Sequence, residues 1–256
     1  MAQPIRLQQF LDSPRPDRAA ILADLDGCLV SGDTVLPQVP ELFARCGDRL
    51  WIVSNNSTDT AQTLAARLDK LGIGLSENRL LLAGEMTLRA LQRNCPGARI
   101  ALYANDPLQD LARQLGLMPD RSAPQRVVLA RDTALSFSDI ARIAEYAHAG
   151  IPVSLANPDR SHPAADGTPL PETGALWAAV SAIVPQAQVT SLGKPAPDMP
   201  YEALRRAGVA AGAAVFIGDT AETDGMAAAA AGVEFVHLAR PGGISVCPTI
   251  TGVKTC

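Results

Sequence analysis

An open α/β fold, built on a parallel sheet and carrying a smaller inserted α/β unit, is what three observations predict. Two apolar runs end in acidic turns, one at Asp24-Leu25-Asp26-Gly27 and one at Gly218-Asp219, as buried strands do when polar groups gather at their carboxyl ends. Strand-like and helix-like segments alternate along most of the chain, the pattern of βαβ units. With 256 residues, 47% of them apolar, the chain exceeds the commonest single-core size and falls short of two full domains.

Taken in order, residues 1–20 are polar, contain Pro4, Pro14 and Pro16, and predict a short helix over 7–11 and a linker. The first strand ends at Asp24. Two extended runs about Gly32-Asp33 predict a hairpin over the end of the sheet, followed by a helix over 40–46. A second strand over 49–53 is followed by Ser54-Asn55-Asn56-Ser57-Thr58 and a helix over 59–71, stopped by Gly72. Small polar side chains and free backbone N–H groups before a helix suit an anion, although such a stretch taken alone is more often a helix cap.

From 77 to 182 the alternation continues, with helices over 86–92, 107–115, 138–149 and 172–183 and strands over 99–103, 126–130 and 151–155. This stretch has no carboxylate pair or lysine motif of its own, so an insertion is the economical explanation. Val189-Thr190-Ser191-Leu192-Gly193-Lys194-Pro195 leads to a helix over 200–207, and a strand over 213–217 ends at Gly218-Asp219 before Thr223-Asp224 and a helix over 225–231.

Composition excludes several classes. The formal charge is −4 and no Lys/Arg block occurs, which argues against nucleic acid or an anionic membrane as partner. Two Trp, three Tyr and five Phe leave little for base stacking. No apolar run reaches the roughly 18 residues of a membrane helix and no leader pattern precedes the first strand, so a cytoplasmic location is expected. Cys28, Cys46, Cys95, Cys247 and Cys256 are odd in number and form no C-x-x-C pair, so they read as structural thiols.

In a parallel sheet, carboxyl ends share one edge, which would bring Asp24, Asp26, Ser54, Lys194, Asp219 and Asp224 together. Four clustered acids repel, and a hard divalent cation such as Mg²⁺ resolves the repulsion. Lys194 and the Ser54–Asn56 donors could then hold a phosphate. Asp24 is placed to attack phosphorus, and Asp26, two residues on and facing the same way, to protonate the leaving alkoxide and then activate water.

The four segments Asp24-Leu25-Asp26-Gly27, Ser54 after Trp51-Ile52-Val53, Gly193-Lys194-Pro195, and Gly218-Asp219 with Thr223-Asp224 resemble the motifs of the haloacid dehalogenase superfamily. The chain is similar to its NagD-like branch of 4-nitrophenylphosphatases and phosphoglycolate phosphatases, in which Ala156-Asn157-Pro158-Asp159 and Gly174-Ala175-Leu176 also find counterparts. The resemblance implies a Rossmann-like doubly wound core over 1–80 and 183–256, with a C2-type α/β cap over 81–182. It implies that Asp24 is nucleophile and Mg²⁺ ligand, that Asp26 is general acid/base and ligates through its carbonyl, and that Asp219 is a ligand. Ser54, Lys194 and the backbone N–H groups of Asn55 and Asn56 would bind phosphate, and Asp224 would hold metal-bound water or orient Lys194. Cap residues Asn157, Asp159, Arg160 and His162 are candidates to touch a small phosphorylated metabolite, with Arg131 and Asp132 behind them. A homodimer through the cap is plausible for the branch. Departures are Ala83-Gly84-Glu85 at the cap entrance, Glu222, Gly225 and the tail from Pro241. Transfer to a second hydroxyl, as in a phosphomutase, and a non-catalytic phospho-ligand module remain alternatives; the carboxylate of Asp26 speaks against the latter.

Overall fold

The computed structural model describes residues 3–163, 168–239 and 254–255. A short helix, α1 (Leu7–Leu11), leads to the fully buried strand β1 (Ala20–Ala23). The antiparallel pair β2 (Val30–Ser31) and β3 (Thr34–Val35) turns at the predicted Gly-Asp corner. There follow α2 (Val39–Cys46), β4 (Leu50–Ser54), α3 (Ala61–Lys70), β5 (Leu80–Leu82) and α4 (Ala83–Asn94). The middle of the chain gives β6 (Arg99–Tyr103), α5 (Asp106–Gln114), β7 (Met118–Pro119), β8 (Arg126–Leu129), α6 (Phe137–His148) and β9 (Val153–Leu155). A second hairpin, β10 (Ser161–Pro163) and β11 (Pro169–Pro171), precedes α7 (Thr173–Ile183) and β12 (Val189–Ser191). The chain continues with α8 (Asp198–Ala207), β13 (Ala214–Gly218), a π-helical turn at Ala221–Gly225, α9 (Met226–Ala230), β14 (Glu234–His237) and β15 (Lys254–Thr255).

Two parallel sheets result. The first has the order β14-β13-β1-β4-β5 and the second β15-β12-β9-β8-β6-β7. Side chains alternate across the first sheet, as period-two backbone requires. Ile21, Ala23, Ile52 and Ile217 face Phe10, Leu42, Leu64 and Leu68, while Leu22, Trp51, Val53 and Phe216 face Met199, Ala203 and Ala228. Burial on both faces explains why these strands read as unbroken apolar runs. A doubly wound α/β core is the outcome, as predicted. β12 pairs in register with β9, which carries the second sheet past residue 182.

The order of the first sheet matters for the site. From β1 the chain moves to β4 on one side and later returns to β13 on the other, so β1 lies at the switch point where loops diverge and open a crevice. Ala23 is level with both Ile52 and Ile217, so Asp24, the end of β4 and Asp219 arrive at one edge. Among the described residues no helix is long and apolar enough to cross a membrane. Cys28 and Cys46 are buried and free and Cys95 is free, in line with structural thiols. Cys247, Cys256 and most of the tail from Pro241 lie outside the described residues.

Candidate active site

Lys194 is the centre of the arrangement. It follows β12 in a turn, is 2% exposed, and its Nζ donates to Asp24 Oδ1 and Asp224 Oδ1 at 2.6 Å each. Burial pulls its pKa down, but Asp224 and Asp24 outweigh it, and the ammonium is held charged above its ordinary range. Asp224 is 0% exposed, and its Oδ2 accepts from the Thr220 N–H at 3.1 Å. Burial pushes the Asp224 carboxyl up, Lys194 opposes that push, and Asp24 and Asp219 add to it. The π-helical turn delivers this carboxylate directly over Gly218, where any Cβ would overlap it. Asp219, also buried, accepts from the Thr220 hydroxyl at 3.1 Å.

Oxygens of Asp24, Asp219 and Asp224 lie within 4.8 Å of one another. A buried set of hard oxygen donors suits Mg²⁺. Asp26, two residues past Asp24, is exposed at the same sheet edge. Partial desolvation, then Asp24, raise its carboxyl to about 6. Cys28 lies beneath, with burial and then Asp24 and Asp219 pushing its thiol well up, so it stays protonated.

Ser54 ends β4, is 2% exposed, and its Oγ accepts from the Asn56 N–H at 3.1 Å. That leaves the Ser54 proton for an incoming anion, while the Asn56 N–H is engaged inside the loop. The Asn56 side chain turns back on Thr58 N–H and Asp59 N–H, and Thr60 caps α3. The sequence therefore serves as helix cap and candidate cradle together. Asn55 does more than expected: its Oδ1 accepts from Lys194 N–H at 2.7 Å, and its Nδ2 donates to Lys194 O at 3.0 Å and to Asp159 Oδ2 at 2.8 Å.

The four cap candidates separate. Asp159 reaches the site through Asn55, and burial raises its carboxyl to about 6 against the pull of Asn55 and Lys194. His162 stands on β10 with Nδ1 2.8 Å from Glu172 Oε1, which Arg131 Nε also approaches at 3.5 Å. Arg160 is exposed. Asn157 is 0% exposed and its amide is spent on Asn55, Ser57 and Thr173. Asp132 lies 3.8 Å from Arg121. Sequence reasoning passed over Ser57 and Thr173, which hydrogen-bond to each other across 116 residues, and Glu172, which sits beside His162 and Arg131.

Family models describe residues 21–118 as a haloacid dehalogenase-like hydrolase and residues 191–242 as HAD-hydrolase-like, so the two matches together contain Asp24, Asp26, Ser54, Lys194, Asp219 and Asp224. Human chronophin is 30% identical over 255 residues, spanning 91% of this chain and 81% of its own. The chain is a haloacid dehalogenase-like hydrolase. Within that family it is an enzyme whose relatives are phosphatases. The p-nitrophenyl phosphatase of Archaeoglobus fulgidus superposes on this hydrolase with a TM-score of 0.77 at 28% identity, covering 85% of each chain. The glycerol phosphate phosphatase of Mycobacterium tuberculosis, solved in complex with magnesium, gives 0.78 at 28% identity, over 87% of this chain and 68% of that one.

Proposed function

We propose that this hydrolase cleaves small phosphate monoesters with Asp24 as nucleophile and Asp26 as general acid and base. The observation that carries the reading is the buried Lys194 ammonium bridging Asp24 and Asp224, with Ser54 and Asp219 on the same sheet edge. In this reading the core is 3–82 with 192–239, and the inserted unit runs over 83–191.

A phosphate enters between Ser54, whose hydroxyl proton is available, and Lys194, which neutralises its charge. An Asp24 carboxylate oxygen attacks phosphorus as the ester P–O bond breaks, and Asp26 gives its proton to the leaving oxygen. Asp26, now a carboxylate, takes a proton from water as that water attacks the phosphorus; the bond to Asp24 breaks and inorganic phosphate leaves. A carboxyl raised to about 6 is suited to both proton transfers. Mg²⁺ held by Asp24, Asp219 and the Asp26 carbonyl would supply positive charge to the phosphoryl oxygens and to the crowded acids. Asp224 keeps Lys194 in place. His162, Glu172, Arg131 and Asp159 form the polar wall facing the leaving group, which favours a small hydrophilic metabolite of the kind named in the glycerol phosphate phosphatase.

Asp24→Asn should reduce Mg²⁺-dependent phosphate release from p-nitrophenyl phosphate and a panel of sugar and polyol phosphates by at least about 10³-fold with an unchanged circular dichroism spectrum. Turnover near that of wild type would sink the assignment.

A further inference from the structure

The loop at 55–57 belongs to the core, yet its three successive carbonyls are all held by the segment between 84 and 157. Asn157 Nδ2 donates to Asn55 O at 2.7 Å, Gly84 N–H to Asn56 O at 3.1 Å, and Arg131 N–H to Ser57 O at 3.3 Å. A peptide unit is planar, so fixing a carbonyl fixes the N–H that follows it. The Asn157 bond to Asn55 O therefore sets the direction of the Asn56 N–H, and that N–H is the donor to Ser54 Oγ. One side chain of the inserted unit thus orients the Ser54 hydroxyl through a single rigid peptide.

The orientation of Asn157 is fixed by its partners. Asn55 O can only accept and Asp159 N–H, 3.1 Å from Asn157 Oδ1, can only donate, so the amide has one chemically sensible placement. Its Nδ2 also lies 3.2 Å from Ser57 Oγ. That hydroxyl also accepts from Arg131 N–H at 3.1 Å and shares a hydrogen bond with Thr173 Oγ1, also 3.1 Å away. Ser57, Asn157 and Thr173 are 2%, 0% and 0% exposed, so water cannot replace a lost partner. Packing leaves no slack: a Cβ on Gly193 would stand 2.9 Å from Asn157 Cα and 3.0 Å from Asn55 Oδ1.

We infer that Asn157, supported by Ser57 and Thr173, is a positioning residue that aims the phosphate-binding loop from the inserted unit and does not itself touch substrate. The inference rests on the phosphatase reading of Ser54. It assigns to the inserted unit a share in binding the phosphate group common to all substrates, besides any share in choosing the leaving group.

The test is competitive inhibition of p-nitrophenyl phosphate hydrolysis by inorganic phosphate in the full chain with Mg²⁺. Asn157→Ala should raise the phosphate inhibition constant and lower kcat/KM by about 10-fold or more, as expected for losing a buried hydrogen bond of roughly 1–3 kcal/mol. In a Ser54→Ala background the same change should cost less than about 3-fold, because both act through one hydroxyl. Asn157→Ser, which stays polar but cannot reach Asn55, should repeat the loss and serves if the alanine variant does not fold. Either a lowered melting temperature with an unchanged phosphate constant, or full additivity with Ser54→Ala, overturns the inference. If wild type neither hydrolyses the ester nor binds phosphate, the phosphatase reading falls and this inference with it; a competent wild type matched by Asn157→Ala overturns this inference alone.

Discussion

In the proposed mechanism Lys194 carries two roles in one ammonium, because the charge that would attract phosphate also holds two buried carboxylates together. Removing it by Lys194→Met leaves Asp24 and Asp224 facing each other without a counter-charge, a situation that costs about 3–5 kcal/mol in buried pairs. Urea unfolding without Mg²⁺ should show that loss, and phosphatase activity should vanish; a variant as stable as wild type would contradict the ion-paired centre. Gly218→Ala tests the same centre from the other side, since its methyl group must displace the Asp224 carboxylate. We expect kcat/KM to fall at least about 10-fold while the fold persists, with a rise in KM for Mg²⁺-dependent turnover. The convergence of Asp24, Lys194, Asp219 and Asp224 was legible in the sequence because each follows or ends a segment with strand or turn character. Ser57 and Thr173 were not, since their meaning lies in a bond spanning 116 residues. Asn157 was visible as a candidate, but only its burial separates a positioning role from a substrate contact.

At the scale of elements, the helix α3 that follows the 54–58 loop is capped twice. Thr60 Oγ1 accepts from Thr63 N–H at 3.2 Å, and Glu85 Oε2, from the first turn of α4, accepts from Ala61 N–H at 2.6 Å. A carboxylate at a helix N-terminus also meets the positive end of the dipole. Glu85→Ala should therefore lower stability by about 1–2 kcal/mol in denaturant melts, more than an exposed helix position would. An effect below about 0.3 kcal/mol would show that Thr60 alone suffices. Through this contact Glu85 ties the start of α4 to the start of α3. Long periodic helices and β6 fell close to their predicted limits because apolar spacing and caps such as Ser136 mark them. Short strands escaped. β5 has three residues, β10 and β11 are proline-bearing, and β14 mixes Glu234 and His237 with Phe235 and Val236, so none offers a clean period-two pattern. The place of β12 in the second sheet depends on its pairing with β9, which no local signal announces.

At the scale of the whole molecule, opposing sets of carboxyl groups shape stability against pH. Glu202 is held down at about 2 by hydrogen bonds from Arg205, joined by Arg206, so its contribution is present above its unfolded value near 4.5 and is lost as pH falls through about 2. Asp26 and Asp159 behave in the opposite sense. Both are raised from 3.8 to about 6, chiefly by desolvation, so the native state binds protons that the unfolded chain has already released. Their contribution is complete below pH 3.8 and is lost as pH rises through about 6, and Asp224, also raised, extends that loss upward. The metal-free protein should therefore melt highest near pH 4–5, by the balance of these linkages, and lower toward pH 8. Magnesium binds carboxylates, not carboxylic acids, so its stabilisation should be larger at pH 8 than at pH 5. Scanning calorimetry in EDTA and in excess Mg²⁺ at both pH values separates the two effects. A metal-free melting temperature that rises steadily from pH 5 to 8 would mean that the cleft is too well hydrated for desolvation to govern it, and the proton-donor role argued for Asp26 would lose its physical basis.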